Sequence, residues 1–257
     1  MAVKVIAPGL STTVQDLGRP GFYHLGIPLS GGMDRFALRA ANMLVGNDEG
    51  AAVLEAVFLG PELEFTAPAT VAITGGDLPP KLNGEERGLG GWGGGSVPAN
   101  LRRMPGNPAE LRMLPGLYWH RITAEAGKRF FADTWKVAPE ADRIGYRFRG
   151  GTALDFVPRE QPFGAGSNPS NIVDACYPYG SIQVPGGTEP IVLHRDAVSG
   201  GGYMMVGCVI SADMDLIGQL QPHSPARFDE VTMDQAQAAR ADRQAAIQRV
   251  RDHLGRN

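Results

Sequence analysis

Only two cysteines, Cys176 and Cys208, occur in 257 residues, and they lie far apart in the sequence. That excludes the disulfide framework that holds small secreted domains together. No apolar run approaches the roughly 20 residues that a bilayer-spanning helix needs. The opening, MAVKVIAPGL, carries one lysine and no apolar core of signal-peptide length, so a cytoplasmic location is expected. Charge of one sign is missing too: 24 Lys and Arg stand against 27 Asp and Glu, for a net charge of −3. Phosphate neutralisation needs clustered cations, so nucleic acid is not an expected partner, and neither is a membrane.

Familiar catalytic signatures are equally thin. There is no GxxxxGK[ST] loop to cradle phosphates. GLGGWG matches GxGxxG at Gly88, Gly90 and Gly93, but no strand-turn-helix pattern surrounds it, so it reads as a flexible glycine run. No GxSxG elbow occurs, and Ser96, Ser167 and Ser199 read as turn residues. The histidines, His24, His120, His194, His223 and His253, show no i,i+4 or HxH pairing, so no metal site is expected. Cys176 and Cys208 read as small hydrophobes, with Cys176, in DACYPYG, the weaker case because polar loops flank it.

Glycine and proline are what the sequence has in plenty, 35 and 20 residues, with no three-residue period. Many turns between short strands account for both, and the fold class expected is mainly β with a few helices. VKVIAPG, AVLEAVFLG and ELEFTAPATVAITGG read as strands. DRFALRAANMLVG reads as a helix with Asp34 as N-cap and Gly46 as stop. The glycine run divides an N-terminal β-rich module, residues 1–100, from a second β module over 101–232. There AELRMLPG is a strand, TAEAGKRFFAD a helix capped by Thr123, and IGYRFRG a strand with Ile144, Tyr146 and Phe148 on one face. GSIQVPGGTEPIVLHRD reads as a hairpin, and YMMVGCVISADMDLIGQL as a strand leading into a short helix capped near Ser211. Residues 233–257 form a surface helix, with Thr232 and Gln235 as a capping box and Ile247, Val250 and Leu254 as a narrow apolar stripe.

What remains is a set of polar clusters flanked by glycine. VQDLGRPG carries Gln15, Asp16 and Arg19, and Asp34 closes the loop that follows. ITGGDL carries Asp77, and ADRIGYR carries Asp142, Arg143, Tyr146 and Arg147. SIQVPGG carries Gln183, and LHRDAVSGGGY carries Arg195, Asp196 and Tyr203. Guanidinium forks, amides and exposed backbone N–H groups suit a small polar or anionic ligand. Each cluster taken singly serves as readily to brace its loop.

Taken together, TTVQDLGRPGFYHLGIPLSGGMDRFALRAANMLVGN, ITGGDL, DRIGYR, GSIQVPGGTEPIVL and GGYMMVGCVISADMDLIGQL resemble the allophanate hydrolase subunit 2 family. That family includes the C subunit of 5-oxoprolinase, the KipA proteins and the carboxyltransferase part of urea carboxylase. The resemblance runs in order from about residue 5 to about residue 230. It implies cyclophilin-like β-barrel modules and a partner resembling the B subunit of 5-oxoprolinase or KipI, with a third chain, resembling the A subunit, for the 5-oxoprolinase members. It also implies ATP-dependent opening of a small cyclic amide such as 5-oxoproline, with ATP and Mg bound mainly by partner subunits. Two alternatives stay open. One is carboxyl transfer from carboxybiotin to urea or a related amide, the biotin coming from another chain. The other is a non-catalytic KipA-like protein that binds a kinase inhibitor. After LPPKLNGEE the family continues for tens of residues that have no counterpart before RGLGGWGGG. Either the protein dispenses with them or its sequence is spliced across them.

For the lactam chemistry, the resemblance implies Asp16 and Asp77 as the residues that receive the ring N–H or activate water. Arg19 or Arg143 would hold a carboxylate, and Gln15, Asp34, Gln183, Asp196 and Tyr203 would line the site.

Overall fold

The computed structural model describes residues 3–76, 78–86 and 96–255. Asp77 and the glycine run of 87–95 lie outside the described residues. The chain is mostly β, with four helices and one closed barrel among the described residues.

The first part makes paired ribbons. β1 (Val3–Ala7) pairs antiparallel with β4 (Glu62–Phe65), and β2 (Ser11–Gln15) pairs antiparallel with β3 (Val53–Val57). Helix α1 (Arg35–Leu44) lies between β2 and β3 in sequence. Asp34 caps it as expected, accepting from the Ala37 N–H at 2.8 Å, and Gly46 follows its end with a positive φ. β5 (Lys81–Leu82) and β6 (Glu85–Glu86) form a short hairpin.

One expected strand is absent here. Beyond Phe65, APATVAIT stays out of every sheet among the described residues and lies against α1 instead, where the Thr74 hydroxyl donates to the Ala37 carbonyl at 2.8 Å. Its β-branched side chains suit a strand, but Val71 and Ile73 stay 56% and 58% exposed, so no buried apolar face draws the segment into a sheet.

The barrel follows. Its strands are β7 (Ala109–Pro115), β8 (Trp135–Val137), β9 (Gly145–Arg149), β11 (Ser181–Gln183), β12 (Ile191–Leu193), β14 (Met205–Val209) and β15 (Pro225–Glu230), closed in the order β11-β12-β9-β8-β15-β7-β14. β10 (Asn171–Cys176) and β13 (Gly200–Tyr203) form a ribbon beside it. The expected hairpin pairs Ile182 with Val192, and β15 alone runs parallel to its neighbour β7.

Inward side chains alternate along these strands. Leu111, Met113, Phe148, Ile182, Val192, Val206 and Phe228 are completely buried. Helix α2 (Ala124–Ala132), capped by the Thr123 hydroxyl, contributes Phe130, stacked on Phe228 at 5.0 Å between centroids and 5.5 Å from Trp135. Such aromatic burial supplies much of the folding free energy of a small barrel.

Two local expectations need correction. Tyr146 and Phe148 face the core, but Ile144 is 55% exposed. The Asp142 carboxylate accepts from the N–H groups of Ile144 and Gly145, and this turn swings Ile144 outward before the strand begins. The short helix α3 (Met214–Ile217) is preceded by Asp213 rather than capped near Ser211. The Asp213 carboxylate binds Arg112 instead of the helix, accepting from its N–H, Nε and Nη2 at 3.0, 2.9 and 2.6 Å.

The terminal helix α4 (Met233–Leu254) has the expected Thr232–Gln235 capping box. Its Ile247 and Val250 pack with Phe36 and Ala40 of α1 and with Val97. No helix among the described residues is long and apolar enough to cross a membrane.

Candidate functional site

The loop that opens on Gln15 is a folded strap. The Asp16 carboxylate accepts from the Gly18 N–H at 2.7 Å, the Asp16 carbonyl from the Gly32 N–H at 2.8 Å, and the Leu29 carbonyl from the Arg19 N–H at 2.7 Å. Gly18 and Gly31, with φ of +83° and +80°, press together so closely that a Cβ on Gly31 would lie 2.5 Å from the Gly18 nitrogen. No other residue type fits both the dihedral and the gap. The strap thereby carries Ser30, Gly31, Met33 and Asp34 onto the barrel.

Where they land, Arg143 gathers the contacts. Its Nε donates to Asp196 Oδ2 at 2.7 Å, its Nη2 to the Gly31 carbonyl at 2.8 Å, and its Nη1 to Glu55 Oε1. Ser30 donates its hydroxyl to Asp196 at 2.9 Å and its N–H to the Arg195 carbonyl at 2.8 Å. The Met33 N–H donates to Glu55 Oε2 at 2.7 Å. Burial works against both charges, yet the pairing wins: the Arg143 pKa is raised, and Arg143 with Ser30 holds the Asp196 carboxyl below the usual carboxylate range.

A second polar layer begins at Asp34. Its free oxygen accepts from Gln219 Nε2 at 2.7 Å. Burial, then the nearby Asp215 charge, raises the Asp34 pKa to about 7. Asp215 accepts from the Arg35 N–H at 3.1 Å and from Arg243 Nε.

The third group is incompletely satisfied. His194 is buried, with Nε2 3.1 Å from the Met214 carbonyl and, among the described residues, no partner at Nδ1. Burial lowers its pKa to about 3, so the ring is neutral. Arg195 is 6% exposed and sets its guanidinium 4.3 Å over the Tyr179 ring, with no carboxylate partner and no acceptor at Nε among the described residues. The Arg35 Nε and the Tyr179 hydroxyl are likewise buried without partners.

The residues picked out from the sequence therefore fall into different places. Arg143 and Asp196 are brought together directly, and Asp34 caps the helix that the same strap leads into. Asp16 and Arg19 are exposed and do not pair with each other; Arg19 Nη2 reaches only the Pro28 carbonyl, at 3.4 Å. Gln15 Nε2 donates to the Thr13 hydroxyl at 3.1 Å. Gln183 is buried in β11, while Tyr203 is exposed and exchanges backbone contacts with the Tyr177 hydroxyl. The strap reaches this second place as well, through the Tyr23 hydroxyl on the Tyr177 carbonyl. Asp77 is outside the described residues. Cys208 is held as a thiol, burial pushing it up to about 11, and Cys176 is exposed.

Sequence reading missed Glu55, Asp213, Asp215, Arg35 and Tyr179. Glu55 left a signal: in VLEAV it takes the inward face while Leu54 is 50% exposed, so a carboxylate stands where an apolar residue is expected.

Comparison with known proteins gives these residues a family setting. The family model described as carboxyltransferase domain, subdomain A and B, matches residues 25–93 and 92–230. The chain is 28% identical over 306 residues to the C subunit of 5-oxoprolinase from Escherichia coli K12, covering 94% of this chain and 95% of that protein. It is 26% identical over 324 residues to urea amidolyase of Saccharomyces cerevisiae, covering 96% of this chain but 17% of that protein. Its fold is similar to the crystal structure of Kluyveromyces lactis urea amidolyase, with a TM-score of 0.86, 24% identity, and coverage of 97% of this chain and 20% of that one. The two matched family segments meet at residues 92 and 93, and the alignment with the E. coli protein is longer than this 257-residue chain.

Proposed function

The chain belongs to the family of carboxyltransferase domains, subdomains A and B, and from that membership we propose that it is one subunit of an ATP-dependent amidohydrolase that opens a small lactam resembling 5-oxoproline. The observation that carries this reading is the coverage: the C subunit of E. coli 5-oxoprolinase is matched over nearly its whole length.

The side chains support one component of a complex rather than a self-sufficient enzyme. Asp16 is open to water, and its carboxylate is engaged in holding the Gly18 amide. Asp34 titrates near neutrality, but both its oxygens are engaged. Chemistry at a lactam would thus be completed by groups from a KipI-like partner of the B type, with an A-type chain as the third component. Leu10, Val14, Leu54 and Leu59 on the first ribbons are exposed apolar side chains that such a partner would cover.

Mg-ATP fits this chain poorly on its own. Among the described residues no three His, Cys, Asp or Glu side chains group as a metal site requires. The Arg35 and Ala37 N–H groups at the start of α1 are held by Asp215 and Asp34, which breaks up an anion cradle there. Nucleotide binding is therefore assigned to the partner subunits, and no step on this chain runs through it. Two free cysteines accord with a cytoplasmic setting.

The fold shared with urea amidolyase favours one second reading, a carboxyltransferase component acting on urea or a related amide. Its biotin would be carried by another chain. Reconstitution with both partner chains, Mg-ATP and 5-oxoproline distinguishes the two. Glutamate formation that requires every component and resists avidin is expected. Turnover of urea that avidin blocks would transfer the assignment to the second reading, and activity of the isolated chain without ATP would defeat the multi-component reading. No turnover on any lactam or amide would favour the KipA-like regulatory protein.

A further inference from the structure

Three arginines of the polar layers have their charge answered. Arg143 has Glu55 and Asp196, Arg112 has Asp213, and Arg243 has Asp215. Arg195 and Arg35 differ: neither has a carboxylate or any side-chain hydrogen bond among the described residues, and both bury an Nε that has no acceptor. Arg195 is buried and Arg35 half-buried, and a guanidinium held there without an anion keeps a desolvation cost that a bound anion would offset.

The two lie in one place. The Arg35 N–H binds Asp215, the residue after Met214, whose carbonyl faces His194, the residue before Arg195. The charge of Arg195 is felt at Arg35, and both are felt at the Tyr179 phenol. The Tyr179 ring lies under the Arg195 guanidinium, whose central carbon is 4.3 Å from the ring centroid, a cation-π contact that restrains it. The Nε atoms are enclosed, so a ligand would approach along the Nη edge of each fork.

We propose that Arg195 and Arg35, with Tyr179 as the platform under Arg195, form a binding site for a small carboxylate monoanion. A carboxylate fits better than phosphate because the Arg35 and Ala37 amides at the start of α1, which would cradle phosphate, are already occupied by Asp215 and Asp34. If the lactam reading is right, the carboxylate is that of the substrate, but the site rests on its own geometry.

Calorimetric titration and thermal shift of the full chain, at constant ionic strength, test it with sodium 5-oxoprolinate, acetate and phosphate. Saturable binding and a raised Tm are expected with the two carboxylates and not with phosphate. Arg195→Gln and Arg35→Gln should each weaken carboxylate binding about tenfold or more, the loss expected for a charge-assisted hydrogen bond. Without ligand both variants should melt no lower than the parent, because each removes an unanswered buried charge. Arg227→Gln, a change at an exposed guanidinium on the Thr134 hydroxyl, should bind normally. Should Arg195→Gln not fold, Arg35→Gln decides, since that side chain has no bond to lose. No carboxylate binding by the parent, unchanged binding in Arg35→Gln, or preference for phosphate would each overturn the proposal. An inert reconstituted complex whose isolated chain still binds acetate through these arginines would sink the lactam reading alone.

Discussion

Arg143 and Asp196 meet through two parallel contacts, Nε to Oδ2 at 2.7 Å and Nη2 to Oδ1 at 3.3 Å, while the same guanidinium reaches back to the Gly31 carbonyl of the strap. One side chain thus joins the barrel, β3 and the N-terminal loop. The turns of the VQDLGRPG...GGMD stretch deliver the Gly31 carbonyl to the Arg143 donor and the Ser30 and Met33 amides to the Arg195 carbonyl and Glu55.

Arg143→Lys keeps the charge but loses the fork, leaving Glu55 or Asp196 unpaired. A loss of about 3 kcal/mol in unfolding free energy is expected, the low end for a buried pair because Asp196 is partly open to water. Urea unfolding measures it. A loss under about 0.5 kcal/mol would mean that the network is dispensable.

Asp34 gives a pH signature. Its folded pKa, about 7, lies above the unfolded value near 4, so the native state binds the extra proton between those limits. Stability should therefore fall as pH rises through that window, with the penalty fully present above about 7. Asp34→Asn, still a competent helix cap, should flatten that part of the Tm profile. An unchanged slope would show that Asp34 titrates normally.

Gly31→Ala tests the strap. A left-handed φ costs a non-glycine residue about 1–2 kcal/mol, and the 2.5 Å approach to Gly18 adds to it. Lower stability, with faster proteolysis between residues 16 and 34, is the expected result. Gly21→Ala is the control: it shares a positive φ, but nothing lies within 4 Å of the position its added methyl would take, so it should show the dihedral penalty alone.

Much of the fold was legible because its signals are local. Alternation in YRF and the caps at Asp34, Thr123 and Thr232 depend on residues a few positions apart, and each element formed as its pattern indicates. APATVAIT misled because β propensity reports how side chains fit a half-buried pleated surface, and here Val71 and Ile73 remain exposed. The site was less legible for the same reason at longer range. Arg143 and Asp196 meet across 53 positions and Asp34 and Gln219 across 185. Tyr179 and Arg35 carry no sequence mark at all; only burial without a partner singles them out.

The contact between α1 and α4 has a consequence for synthesis. Phe36 and Ala40 find their apolar partners in Ile247 and Val250, near the far end of the chain. At about 5–20 residues per second, those partners emerge tens of seconds after the first helix does. Through that interval α1 lacks these two partners and has only Val97 of its buried cluster, and the strap it follows gains Arg143 and Asp196 part-way through. The packing of α1 is therefore completed only by residues made much later, and its apolar face stays partly uncovered while the chain between them is synthesised.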